Sequence, residues 1–194
     1  MNQPDQYKLT DEAFQTYVRN HHKFALEGLG ESLTPALLVV TRTADLKDET
    51  TYFHITFPFN EDEVKHRTLF EIGKKFFEEE KVVLAVILSA EAWMVNKKKE
   101  KDSDLQLVSP RDDPNREECI YTAGWGAGDG DTPQHMYIIT PVRRDENNHM
   151  HVSGESTKLI GPGRFDLLAW FWTGYFWTGY FWMPLPQQQQ QETE

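Results

Sequence analysis

An α+β fold, with a mixed, mostly antiparallel sheet of five to seven strands and two main helices, follows from three features of the chain. Val82-Val83-Leu84-Ala85-Val86-Ile87-Leu88 is an unbroken apolar run rich in β-branched residues and too short to span a membrane. Such a run implies a central strand covered on both faces. Ahead of it, residues 61–80 carry a helical stripe (Leu69, Ile72, Gly73, Phe76). Beyond it, short alternating stretches separated by polar turns read as antiparallel strands.

Taken in order, residues 1–9 are a polar arm. Thr10 caps a first helix, with Asp11 and Glu12 in its opening turn and Leu9 and Phe14 spaced as a hydrophobic staple. Phe14, Tyr17, Val18 and Ala25 form its buried stripe, and Gly28 with Gly30 ends it. His21 and His22 lie on this helix without spaced ligand partners and read as surface or satisfied histidines. Residues 37–41 are a strand, residues 44–50 a polar turn, and residues 52–57 a second strand in which Phe53, Ile55 and Phe57 share one side. The central helix is capped by Asn60, with Glu63 three residues on and a staple between Phe59 and Val64. Glu78-Glu79-Glu80 at its far end opposes the helix dipole.

After the central strand, Lys97-Lys98-Lys99-Glu100-Lys101 is a solvated basic loop, residues 105–108 a short strand, and residues 109–118 a polar segment bracketed by Pro110 and Pro114. Residues 118–125 read as a strand leading into a turn rich in glycine (Gly124, Gly126, Gly128, Gly130). That turn lacks the Lys-Ser/Thr pair of a phosphate-binding loop. Residues 136–142 form another strand, and residues 149–154 a hairpin partner for it.

The C-terminal part repeats itself: Phe171-Trp172-Thr173-Gly174-Tyr175 is followed at once by Phe176-Trp177-Thr178-Gly179-Tyr180, and Phe181-Trp182 begins a third copy. A period of five matches neither a helical face nor a strand face, so it reads as a local duplication. Helix can start at Leu167, whereas two glycines, Pro184 and Pro186 oppose its continuation. The division expected is a single α+β domain over 1–166, an aromatic segment over 167–186 and a disordered glutamine-rich tail over 187–194.

With 194 residues, 26% charged and 39% hydrophobic, the composition is that of an ordinary soluble globular chain. The net charge of −11 disfavours nucleic acid. One cysteine, Cys119, excludes an internal disulfide and supplies no metal pattern, and the N-terminus lacks a signal-peptide profile. A cytoplasmic location is the expectation, and no cofactor is implied. Residues 167–186 carry no charge, yet their aromatic, Gly, Thr and Pro content argues against a membrane span. Packing on the domain or on a second copy is expected instead. A homo-oligomer would form through Trp170, Phe171, Trp172, Phe176, Trp177, Phe181 and Trp182.

Two motifs carry the candidate chemistry. The apolar strand ends in Ser89-Ala90-Glu91-Ala92-Trp93, and Pro114-Asn115-Arg116-Glu117-Glu118 follows some twenty residues later. The pair resembles a family of uncharacterised bacterial and phage proteins, in which a strand ending in Glu-Ala-Trp is followed by a Pro-x-Arg-x-Glu segment leading into the next strand. The resemblance covers residues 35–125 and implies a compact α/β domain, with no activity attached. Antiparallel pairing would bring Glu91 and Arg116 together as an ion pair, with Trp93 packed over it and Glu117 beside it as a binding surface. The alternative makes Glu91 an acid/base or metal ligand of a hydrolase, joined by Asp112, Asp113 and His54, although no ligand spacing is diagnostic. Cys119 as a nucleophile would need a histidine partner that the sequence does not place. The leading expectation is a soluble binding domain. The metal-dependent hydrolase and a membrane-associated protein anchored by the aromatic segment are the alternatives.

Overall fold

The computed structural model describes residues 8–55, 62–95, 116–127, 133–161 and 167–176. Helix α1 (Asp11–Glu27) precedes strands β1 (Ala36–Arg42) and β2 (Asp48–His54), and helix α2 (Asp62–Glu78) leads into β3 (Val82–Val95). Strands β4 (Arg116–Gly126), β5 (Gln134–Arg144), β6 (Met150–Val152) and β7 (Thr157–Ile160) follow, and helix α3 (Leu167–Tyr175) closes the described chain. The strands form one seven-stranded sheet in the order β2-β1-β3-β4-β5-β6, with β7 also paired to β5. Every described pairing is antiparallel.

The apolar run of β3 is continuous because both of its faces are covered. Val83, Val86 and Leu88 face α2 and α3, where they meet Leu69, Phe76, Leu168 and Phe171. Leu84, Ala85 and Ile87 face α1, where they meet Phe14 and Val18. Leu84 and Ala85 share a face because the register against β1 shifts between Val40 and Thr41, a bulge that adds one residue to β3. Helix α1 starts as read: the Thr10 side chain accepts a hydrogen bond from the Ala13 amide at 3.2 Å. Helix α2 is closed two residues past its end by Glu80, which has φ 54°. The amide of Lys81 reaches back to the carbonyl of Phe76 at 3.0 Å, closing the helix in a Schellman-type turn without glycine.

Several boundaries differ from the sequence reading. Strand β2 begins at Asp48, because the turn before it is tight: the Thr43 amide bonds the Lys47 carbonyl at 2.9 Å, and Leu46 takes φ 63°. Glu91, Ala92 and Trp93 lie inside β3 rather than after it. Gly124 and Gly126 belong to β4, not to a turn. A Cβ on Gly124 would lie 2.4 Å from Val18 Cγ2, so the missing side chains are what lets α1 lie close on the sheet. Strand β7 was not expected from the sequence, and all of its residues are exposed, Leu159 and Ile160 included.

The largest difference is at the C-terminus. Helix α3 is built into the main core: Phe171 is fully buried and Trp172 is 5% exposed. These two residues, expected at an intermolecular surface, are covered by their own chain. Trp170 is partly buried and stacks on His66 at 4.7 Å. Among the described residues, no helix is long and apolar enough to cross a membrane. The Asn60 cap, Phe59, the basic loop, the strand expected at 105–108, Asp112, Asp113, Gly128, Gly130, Trp177, Phe181, Trp182 and the glutamine run lie outside the described residues.

Candidate functional site

The strands around β3 are of unequal length, and this exposes the site. Pairing with β1 ends at Ser89, opposite Ala36, and pairing of β4 with β5 begins only at Cys119, opposite Pro141. Trp93, Met94 and Val95 therefore pair only with Glu118, Glu117 and Arg116 among the described residues, as a two-stranded ribbon that outruns the sheet. Directly opposed residues share a face, so Glu91, Trp93, Arg116 and Glu118 all lie on the side of the sheet that carries α1.

This register corrects the expected ion pair. Glu91 stands opposite Ile120, whereas Arg116 stands opposite Val95, four positions further along the ladder. Glu91 instead pairs with Arg144, whose Nη2 donates to Glu91 Oε2 at 3.3 Å. The amide of Leu33 donates to the other carboxylate oxygen. Arg144 Nε donates to both oxygens of Glu118, at 3.1 and 2.9 Å, and Nη1 donates to the backbone carbonyls of Glu31 and Asn148. One guanidinium thus ties β3, β4, the α1–β1 loop and the β5–β6 turn together. Planar, fixed donors make arginine suited to such a junction.

Arg116 makes a different contact. It lies diagonal to Trp93 across the ladder, and its guanidinium carbon sits 4.6 Å from the centre of the indole ring. Trp93 remains 42% exposed, and Glu117 on the opposite face is exposed as well. A guanidinium over an indole face is a cation–π contact that holds both side chains in place at the surface.

Of the hydrolase constellation, only Glu91 and His54 fall among the described residues, and the sheet keeps these two apart. Glu91 is engaged by Arg144 and the Leu33 amide. His54 ends the edge strand β2 opposite Ala36, with β1 between it and β3. Among the described residues, no group of three or more His, Cys, Asp or Glu side chains could hold a metal ion. Cys119 is buried, donates to the Ala92 carbonyl at 3.5 Å, and has its thiol pKa pushed up to about 11 by burial and by Glu118, which leaves it a poor nucleophile.

A second polar cluster lies under α1. His22 is 5% exposed. Its Nδ1 is 2.8 Å from Thr122 Oγ1 and its Nε2 is 2.8 Å from Thr140 Oγ1. Ser89 Oγ joins Thr122 at 2.7 Å and Ser156 Oγ joins Thr140 at 2.6 Å, so the chain runs from the middle of the sheet to its surface. Burial, and then the neighbouring His21, push the His22 pKa down to about 4. The imidazole is neutral, with one nitrogen donating and the other accepting. The reading of these histidines as satisfied holds for His22; for His21, Nε2 bonds the Ala36 carbonyl at 3.0 Å while Nδ1 is buried without a partner among the described residues. Helical spacing carried the signal, since positions 14, 18, 21, 22 and 25 fall on one stripe. Arg144 was less visible: it only extends the alternation of Met136, Ile138, Thr140 and Val142 on the α1 side of β5.

The fold and site define an antiparallel sheet covered by helices on both faces, with an aromatic–cationic ribbon projecting from it. No family model, curated protein or solved structure matches the chain.

Proposed function

We propose that this chain acts by binding, and that its partner is another protein met at the β3–β4 ribbon. The observation that carries this reading is Trp93, left 42% exposed on a projecting ribbon and covered on one face by Arg116. Tryptophan and arginine are the residues that anchor protein interfaces most often, because each brings a large contact area. Here both are already ordered by each other, which lowers the entropy lost on binding. Of the residues behind the resemblance to the bacterial and phage family, Trp93, Arg116, Glu117 and Glu118 lie in this ribbon, and Glu91 and Ala92 lead into it along β3. A cytoplasmic setting accords with the single free thiol.

The test compares what the intact protein and Trp93→Ala capture from a lysate of its source, alongside thermal melts of both. Loss of one stoichiometric partner with an unchanged melt is the expected result. Retention of the same partner by Trp93→Ala and by Arg116→Ala would move the binding surface elsewhere.

Self-association is the second reading, favoured by Phe176, which is 40% exposed beside the buried aromatic cluster. Phe176, Trp177, Phe181 and Trp182 would carry it, with Trp170 at its margin. Light scattering on the full chain at micromolar concentration decides it: a monomer mass ends this reading.

A further inference from the structure

We propose that the seat which α2 and β3 offer to α3 accepts either copy of the duplicated five-residue unit, so that residues 176–180 can replace residues 171–175 within the same chain. The seat reads four side chains. Phe171 is fully buried against Phe76, with ring centres 6.1 Å apart. Trp172 packs 6.4 Å from Trp125. Gly174 leaves room for the Phe70 carbonyl, which would be 2.0 Å from an added Cβ. The Tyr175 hydroxyl donates to the Lys81 carbonyl at 2.8 Å and accepts from the Val83 amide at 3.1 Å.

Phe, Trp, Gly and Tyr recur with the same spacing at 176, 177, 179 and 180. If the helix advances through the seat by five residues, each of these slots is refilled by an identical side chain. What changes lies before the unit. The slot of Leu168, 3% exposed, would take Thr173, and the slot of Trp170, stacked on His66, would take Tyr175. Putting a hydroxyl into an apolar slot favours the first register, which is the one observed. The connection from β7 grows by five residues in the second register, and loop-closure entropy rises only logarithmically with length. The second register is therefore a minor state of the native protein that becomes dominant when the first copy is blocked.

Alanine scanning of the two glycines in the full chain tests this, because alanine adds one Cβ and otherwise favours a helix. Gly179→Ala alone should leave the melting temperature unchanged, and Gly174→Ala should lower it by a few degrees. The double variant should fall much further, to the level of Gly73→Ala, whose position has no duplicate. Tyr180→Phe should be silent in the native background but should lower the melting temperature in Gly174→Ala, where Tyr180 has become the tyrosine of the seat. Equal melting of Gly174→Ala and the double variant, folded or not, overturns the proposal. So does silence of Tyr180→Phe in both backgrounds. A species of twice the monomer mass for Gly174→Ala also overturns it, since the second copy would then be docking on a neighbouring chain.

Discussion

Gly73 of α2 and Gly174 of α3 each lie against the other helix's backbone, in a reciprocal arrangement. A Cβ on Gly73 would come within 2.0 Å of the Phe171 carbonyl oxygen, and one on Gly174 within 2.0 Å of the Phe70 carbonyl oxygen. Each carbonyl belongs to the residue three positions before the opposite glycine. The helices therefore cross at nearly backbone contact, as pairs built on small residues do, and Cα–H groups face carbonyl oxygens there. Gly73→Ala should destabilise the protein by about 1–3 kcal/mol, the usual cost of overpacking, even though alanine is the better helix former. A urea titration measures it, and an unchanged or raised midpoint would show that the helices do not meet here.

The junction at Arg144 predicts which charges are coupled. Arg144→Met leaves Glu91 and Glu118 facing each other without their shared cation and should cost on the order of 2 kcal/mol, discounted because all three side chains keep some solvent contact. In a double-mutant cycle, Glu91→Gln and Arg144→Met should be non-additive, whereas Glu91→Gln and Arg116→Met should add. Coupling of Glu91 to Arg116 alone would contradict the register of β3 on β4.

Acid should weaken the fold through His22. Its folded pKa, about 4, lies below the ordinary 6.5 of the unfolded chain. Between these values the unfolded state binds a proton that the native state refuses, so stability falls as pH drops from 6.5 towards 4 and then levels off. The full effect is about 3 kcal/mol at most. His21, also lowered by burial, acts in the same direction. Imidazole resonances followed by NMR should show no titration of His22 near neutrality, and a midpoint near 6.5 would place it in solvent instead.

Glu80 offers a stabilising substitution. It occupies the left-handed region at φ 54°, at the C-terminal end of α2, where a carboxylate also opposes the helix dipole. Glycine reaches that conformation without a Cβ clash, so Glu80→Gly should stabilise by roughly 0.5–1 kcal/mol. A rise of a few degrees in melting temperature is the expected reading, and a fall would mean that the Glu80 side chain contributes a contact that outweighs its strain.

Local chemistry decided most of the fold in advance. The Thr10 cap, the stripe of α1, the apolar run of β3 and the alternation of β5 are each set by residues close together in sequence, and their spacing alone selects helix or strand. The same spacing placed His21 and His22 on the buried stripe. Register across the sheet was not local. Whether Glu91 meets Arg116 or Arg144 depends on how β3 slides on β4, and a continuous apolar run offers no alternation to mark one register over another. The five-residue repeat likewise matches no face of a regular element, so a helix could be read as starting at Leu167 but not as running on through Trp172 and Gly174. That was decided by packing on α2, where the Phe70 carbonyl leaves no room for a Cβ at Gly174 and Gly73 lies against the Phe171 carbonyl. Residues a hundred positions apart met there, and only packing could bring them together.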